Sequence, residues 1–311
     1  MKRRIISLVL VLAIACFLAS CSSSDHPEQI GETKESTSGS SVNIPIVTES
    51  LAPTLASEGN LGNAYVTINH FELCEDYKGR PSILIVYSFT NNDNESQMAM
   101  TMLSEHAFQN GVELKSATLR DREDYDFSAA TKKIQAGATI EIPVAYLLTS
   151  ETAPVEFEII ENFSFSSNMV GGVFEIYEGG ITELSQAPEG VMDIEVGDYL
   201  VSVVAYRKTT NYEGKPVIVL KLGFTNNSNN SEIFSLSVDL TAFQNGIELE
   251  SAIMLEDEYD SHTRHAYVKP GAGVTVYCAF ILDDDSPVDF EVQESFSFND
   301  ELYTFTIELS E

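Results

Sequence analysis

The sequence predicts an all-β protein built as two tandem antiparallel β-sandwiches. Three observations predict it. Apolar residues alternate with a period of two in short runs bounded by Gly, Pro, Asn or Asp. No stretch sustains the 3.6-residue period of an amphipathic helix. The second half of the chain repeats the first: "AFQNGVELKSA" at Ala107–Ala117 returns 135 residues later as "AFQNGIELESA" at Ala242–Ala252, with nine of eleven positions identical. At 311 residues the chain has room for about two domains.

In chain order the first element is an address. Lys2, Arg3 and Arg4 precede an apolar run from Ile5 to Leu18, too short to span a bilayer comfortably and shaped like the apolar segment of a secretory leader. The run ends in Leu18-Ala19-Ser20-Cys21, which resembles the lipobox of bacterial lipoproteins at all four positions. The resemblance implies cleavage before Cys21, a diacylglycerol on its sulfur, and the membrane as a partner reached through that lipid. Two or three acyl chains, at about 0.8 kcal/mol per buried CH2, anchor stably where one does not. Residues 1–20 are expected to be the signal peptide, and residues 21–62 the lipidated cysteine and a flexible linker. "SSSDHPEQIGETKESTSGSS" has too few apolar side chains to bury a core. The expected location is the extracytoplasmic face of the bacterial cell membrane.

Residues 63–177 are expected to form the first domain and residues 196–311 the second, joined by a connector at 178–195. Tyr77–Asn92 faces Tyr212–Asn227, and Pro154–Asn168 faces Pro287–Asp300 after a small deletion. Order is preserved, so this is a tandem duplication, with each copy too long for a solenoid repeat and right for a domain. In the first copy the strands read "YVTINHFEL", "ILIVYSFT", "TIEIPVAYLL", "VEFEII" and "VFEIY". In the second they read "VIVLKLGFT", "VTVYCAFIL", "VDFEV" and "YTFTIEL". Short strands at this density predict a sandwich. "FQNG" is expected to close the same hairpin in each copy. A three-residue loop, a type I turn with a G1 bulge, would put Phe108 and Phe243 in the cores and Glu113 and Glu248 in water, with Gly111 and Gly246 at positive φ. Cys74 and Cys278 occupy unmatched places in the repeat and are expected to be free.

"FTNN", ending one strand, and "FQNG[VI]EL", across a later turn, resemble the uncharacterised immunoglobulin-like domains of Gram-positive lipoproteins. Those domains are related in fold to a secreted mycobacterial immunoprotective antigen. The resemblance implies immunoglobulin-like sandwiches at the cell envelope and brings no catalytic residues.

Lys+Arg is 17 and Asp+Glu is 48, a formal charge of −31, and loss of Lys2, Arg3 and Arg4 with the leader takes it to −34. Such a chain has no basic footprint for nucleic acid. The charge instead keeps an extracellular domain dispersed. No G-x-S-x-G, no recognisable Cys–His pattern and no Gly-rich phosphate loop is present, and nothing asks for a cofactor. His262 and His265, three apart near Asp260, read as a solvated loop, since the first copy has "YDFSAATKK" there. Asp283, Asp284 and Asp285 are calcium candidates, but no spacing matches an EF-hand loop and a solvated acidic loop is the default. The expected function is non-catalytic: a tethered interaction module with an envelope or extracellular protein partner. The alternatives are a solute-binding lipoprotein of a transporter and a ligand-free spacer.

Overall fold

The computed structural model describes residues 9–10, 55–120, 122–164, 168–255, 258–297 and 301–309. Cys21 and most of the expected linker lie outside them. The described chain is nearly all β, arranged as two tandem antiparallel sandwiches. Its α-helices are two four-residue turns, Ala99–Met102 and Phe234–Ser237.

A two-residue strand, β1 (Val9–Leu10), comes first. Copy one then runs β2 (Glu58–Leu61), β3 (Ala64–Glu75), β4 (Pro81–Asn91), β5 (Leu103–Gln109), β6 (Val112–Glu113), β7 (Thr139–Leu147), β8 (Val155–Glu161) and β9 (Met169–Phe174). Copy two begins with β10 (Met192–Val196), β11 (Tyr199–Thr210), β12 (Pro216–Asn226), β13 (Glu232–Ile233) and β14 (Val238–Gln244). It ends with β15 (Ile247–Glu248), β16 (Tyr267–Val268), β17 (Gly273–Ile281), β18 (Val288–Glu294) and β19 (Tyr303–Ile307). In copy one the sheet β2-β3-β4-β7 faces β6-β5-β8-β9 across a core holding Tyr87, Phe89 and Phe157. In copy two β10-β11-β12-β17 faces β15-β14-β18-β19 across Phe224, Phe234 and Phe290, and β1 lies parallel to β19.

β4 and β12 read as continuous apolar runs because both of their faces are buried. Ile83 and Ile85 enter the first core, while Leu84 and Val86 pack outward under Cys74, Ala117, Leu119 and Tyr125. Val217 and Val219 do the same under Ala252, Met254 and Tyr259. A strand covered on two sides loses the alternation that a half-exposed strand shows.

Four expectations need correction. The last residues of the expected linker form β2, which closes the first sheet and buries Leu61. The end of the expected connector forms β10, which does the same for copy two. The strand expected at Val173–Tyr177 is β9, which starts earlier at Met169 and runs through Gly171 and Gly172. That glycine pair marks a close approach rather than a boundary: a Cβ at Gly171 would lie 2.3 Å from the Phe157 carbonyl oxygen.

The fourth correction concerns the "FQNG" loop, which has two residues. Phe108 pairs with Glu113 and Gln109 with Val112; Phe243 pairs with Glu248 and Gln244 with Ile247. Asn110 and Gly111 have φ of 54° and 79°, and Asn245 and Gly246 have 52° and 78°. Two consecutive residues at positive φ make a type I′ turn, whose twist matches that of the flanking strands. The glycines are at positive φ as expected, but the Phe residues do not fill their own cores. Leu103 and Ala107 point into the first core; Phe108 lies on the other face, buried against copy two, and Phe243 is only half-buried. Cys74 and Cys278 are both free, and burial in the second core pushes the Cys278 thiol up to about 11.

Candidate functional site

Among the described residues the two copies differ at the seam between them. There the copy-one hairpin is gripped by copy two. β16 adds to the outer edge of β6, with Val268 opposite Val112, so one sheet continues as β13-β16-β6-β5-β8-β9. The Lys269 N–H donates to the Gly111 carbonyl at 2.8 Å. The connector threads alongside: the Ser185 N–H donates to the Asn110 carbonyl, and the Gly273 N–H to the Ser185 carbonyl, both at 2.7 Å. Val112 packs on the second core. A Cβ at Gly111 would meet Ala272 Cβ at 2.8 Å and Leu184 Cδ2 at 2.9 Å.

Side chains on the outer face of β5 and β8 complete the seam. Lys269 Nζ lies 2.6 Å from Glu156 and 2.7 Å from Glu158, and 4.4 Å above the centre of the Phe108 ring. Burial raises the Glu158 carboxyl, and Lys269 opposes that shift. Glu113 Oε1 is 2.6 Å from His106 Nδ1, and Glu113 Oε2 accepts the Tyr267 N–H at 2.9 Å. His262 Nε2 lies 3.3 Å from the Glu113 carbonyl oxygen, and the His106 and Tyr267 rings meet edge-on at 5.0 Å.

Beside this cluster a groove of about 340 Å³ opens, lined among others by Glu105, Glu113, Phe127, Tyr146 and His262. Both copies contribute to it. Glu105 is part of its lining. Burial raises its carboxyl, and the buried Tyr87 hydroxyl donates to it. Burial raises the Tyr87 and Tyr146 hydroxyls as well, keeping both as neutral donors. The groove thus offers an acid and an aromatic rim over a core tyrosine.

Of the sequence-predicted site residues, Gly111 and His262 lie at the seam and the other described ones fall elsewhere. Gly111 belongs to the seam, whereas Gly246 has nothing within 4 Å of a built Cβ. Asp284 accepts from Ser286 N–H at 2.8 Å and Asn245 Nδ2 at 3.0 Å; bonds from Ser286 and Asn245 hold its carboxyl low. Asp285 pairs with Lys208, and the Asp283 N–H donates to Gln244 Oε1. Among the described residues no group of three or more His, Cys, Asp or Glu is placed to hold a metal ion. His262 and His265 diverge, the latter bonding the Ser235 hydroxyl at 3.0 Å.

Sequence reasoning missed the polar residues that organise the loops. Gln109 is buried, and its Nε2 donates to the Ser150 and Ala153 carbonyls while its Oε1 accepts the Thr149 and Ser150 N–H groups. Gln244 repeats this with Asp283, Asp284 and Ser286. Asn91 and Asn226, in "FTNN", likewise donate to the carbonyls of Ile134 and Val268. Their recurrence in both copies was the signal, since a polar residue repeated inside a strand marks a buried bond.

Fold and seam define a tandem β-sandwich protein whose two copies are joined by hydrogen-bonded strands. The chain belongs to the family described as "Domain of unknown function (DUF5067)", which matches residues 56–161 and 183–294. Among curated proteins none matches the chain. A solved structure described as a candidate lipoprotein of Staphylococcus aureus is similar at 13% identity with a TM-score of 0.33, over 40% of this chain and 93% of that one.

Proposed function

We propose that this protein is a lipid-anchored envelope protein whose tandem sandwiches form a non-catalytic binding module on the outer face of the cell membrane. The observation that carries the anchor is the agreement of Lys2-Arg3-Arg4, the apolar run and Leu18-Ala19-Ser20-Cys21. The groove at the seam supports the binding role, because a cleft between domains with a few polar groups on an apolar rim is where ligands bind. Glu113, His106 and Lys269 are already engaged with protein groups, which favours binding over catalysis. A solute-binding lipoprotein built of alternating strands and helices does not fit a chain that is nearly all β. Kinship with Gram-positive lipoprotein domains, and through them with the mycobacterial antigen, is part of the same proposal.

Metabolic labelling with an alkyne fatty acid tests the anchor: the chain is expected to take label and Cys21→Ala to lose it. A labelled Cys21→Ala chain would overturn it. A photoreactive residue at exposed Phe127, in the groove, is expected to cross-link an envelope protein in whole cells. The same probe at exposed Val173, outside the groove, is not. No adduct at 127 would favour a ligand-free spacer.

A further inference from the structure

The seam inside the chain is also a template for contact between chains. Each copy carries the same two complementary parts, a hairpin edge and the strand edge that receives it. Among the described residues only the copy-one hairpin and the copy-two edge are joined. The other hairpin and the other edge are left over. We infer that the β15 hairpin edge of one molecule docks on the Ile134 edge of a second copy of this chain, repeating the internal seam head to tail.

The equivalence of the edges is structural. Gly137 and Gly271 both hold positive φ, and their N–H groups donate to the Asn91 and Asn226 carbonyls at 2.7 Å. The Asn91 and Asn226 side chains donate to the carbonyls of Ile134 and Val268. Ile134 is therefore the counterpart of Val268, Lys133 of Tyr267, and Gln135 of Lys269. Gln97 bridges Ile134 as Glu232 pairs with Val268. On the other side, β15 repeats β6, and Ile247 takes the place of Val112.

The unused parts look like an unfilled version of the used ones. Val112 and Glu113 are half-buried at the seam, whereas Ile247 is 65% exposed and Glu248 is also exposed. The Gly111 carbonyl accepts from Lys269, but among the described residues the Gly246 carbonyl and the Gln135 N–H have no hydrogen-bond partner. An unpaired strand edge carrying an exposed Ile is a template for another strand. Charge agrees as well. Around β15 stand Glu248, Asp289 and Glu291, the counterparts of Glu113, Glu156 and Glu158. Lys133, exposed on the receiving edge, is in no ion pair among the described residues, so the basic partner comes from two residue positions earlier than in the internal seam. Among the described residues neither leftover part meets the other within the chain, so the contact is heterologous and propagates into a ring or a filament. The inference is independent of the lipid on Cys21 and of any ligand in the groove.

Disulfide trapping of the detergent-extracted full-length chain tests it. Ile134→Cys with Ile247→Cys is expected to give a ladder of covalent dimers and higher species on mild oxidation, and neither single variant should. Val112→Cys with Val268→Cys, at the internal seam, is expected to close within one chain and checks fold and geometry. Lys133→Glu should lower the cross-linked fraction about tenfold, roughly the effect of one lost ion-paired contact. Adding Glu248→Lys should restore it. Monomers only from the Ile134/Ile247 pair, with the internal pair closing normally, would overturn the inference. So would a dimer formed by Ile247→Cys alone, since that contact is symmetric.

Discussion

At the scale of single residues, the repeated motif is explained by its glutamine. Gln109 and Gln244 each satisfy two carbonyls and two N–H groups of the loops that follow β7 and β17, several of them shielded from water. Gln109→Ala is expected to cost roughly 2–4 kcal/mol by chemical denaturation, since buried polar groups lose their only partner. Gln109→Glu should cost more at neutral pH, because a carboxylate faces two carbonyl oxygens with no proton to offer. Glu105 behaves oppositely. Burial raises its folded carboxyl above the unfolded value, so the unfolded chain ionises first and Glu105 costs stability as pH rises through the carboxylate range. Below that range both states are protonated and the cost vanishes. Glu105→Gln keeps an acceptor for Tyr87 and should be more stable than the native chain at neutral pH, with the difference closing in acid. Urea unfolding at two pH values decides it; a Gln variant weaker at neutral pH would refute the reading. The glutamines left one trace in the sequence, their recurrence in both copies, and Glu105 left none. A glutamine or glutamate in an alternating strand reads as a solvent-facing residue, and only the three-dimensional partner shows it to be inside.

At the scale of elements, most strands with clear alternation or continuous apolar runs were legible; the edge strands β2 and β10 were not, and the central strand β11 was passed over. β2 and β10 are four and five residues long, lie beside Gly-rich or polar segments, and draw their stability from one neighbour each. The hairpin shows how a sound premise fails. The three-residue loop was expected so that each Phe could face its own core. Asn-Gly instead gives a two-residue I′ turn, and Phe108 finds burial against the second copy under Lys269. The two hairpins therefore share a turn but not its surroundings. Gly246→Ala meets open space and should cost only the strain of a side chain at positive φ, about 1–2 kcal/mol. Gly111→Ala carries the same strain and also drives a methyl into Ala272 and Leu184, so it should cost more and loosen the seam. Paired thermal melts check the order. Equal losses would mean that the seam around Gly111 yields without cost.

At the scale of the whole molecule, duplication was legible at once, but the joining of the copies was not, because both carry the same hairpin. The internal seam also uses residues that differ between copies: His106 where copy two has Thr241, and Lys269 where copy one has Gln135. Lys269 is the centre of that difference. It is 18% exposed, faces Glu156 and Glu158, and covers Phe108. Lys269→Met keeps most of the stem but removes the charge, leaving two adjacent carboxylates on a largely covered face. Breaking such a pair from one side costs about 3 kcal/mol. The loss should fall on docking rather than on either core: the far-UV spectrum is unchanged, while the connector at 178–195 becomes more open to protease. Acid should narrow the defect. Burial already holds Glu158 above its ordinary value with Lys269 present, so the docked form prefers its proton, and loss of Lys269 strengthens that preference. As pH falls through the carboxylate range, protonation of Glu158 removes one of the two like charges, and cleavage of the variant should approach that of the native chain. A protease defect that widens in acid, or none at all at neutral pH, would show that Lys269 does not hold the copies together.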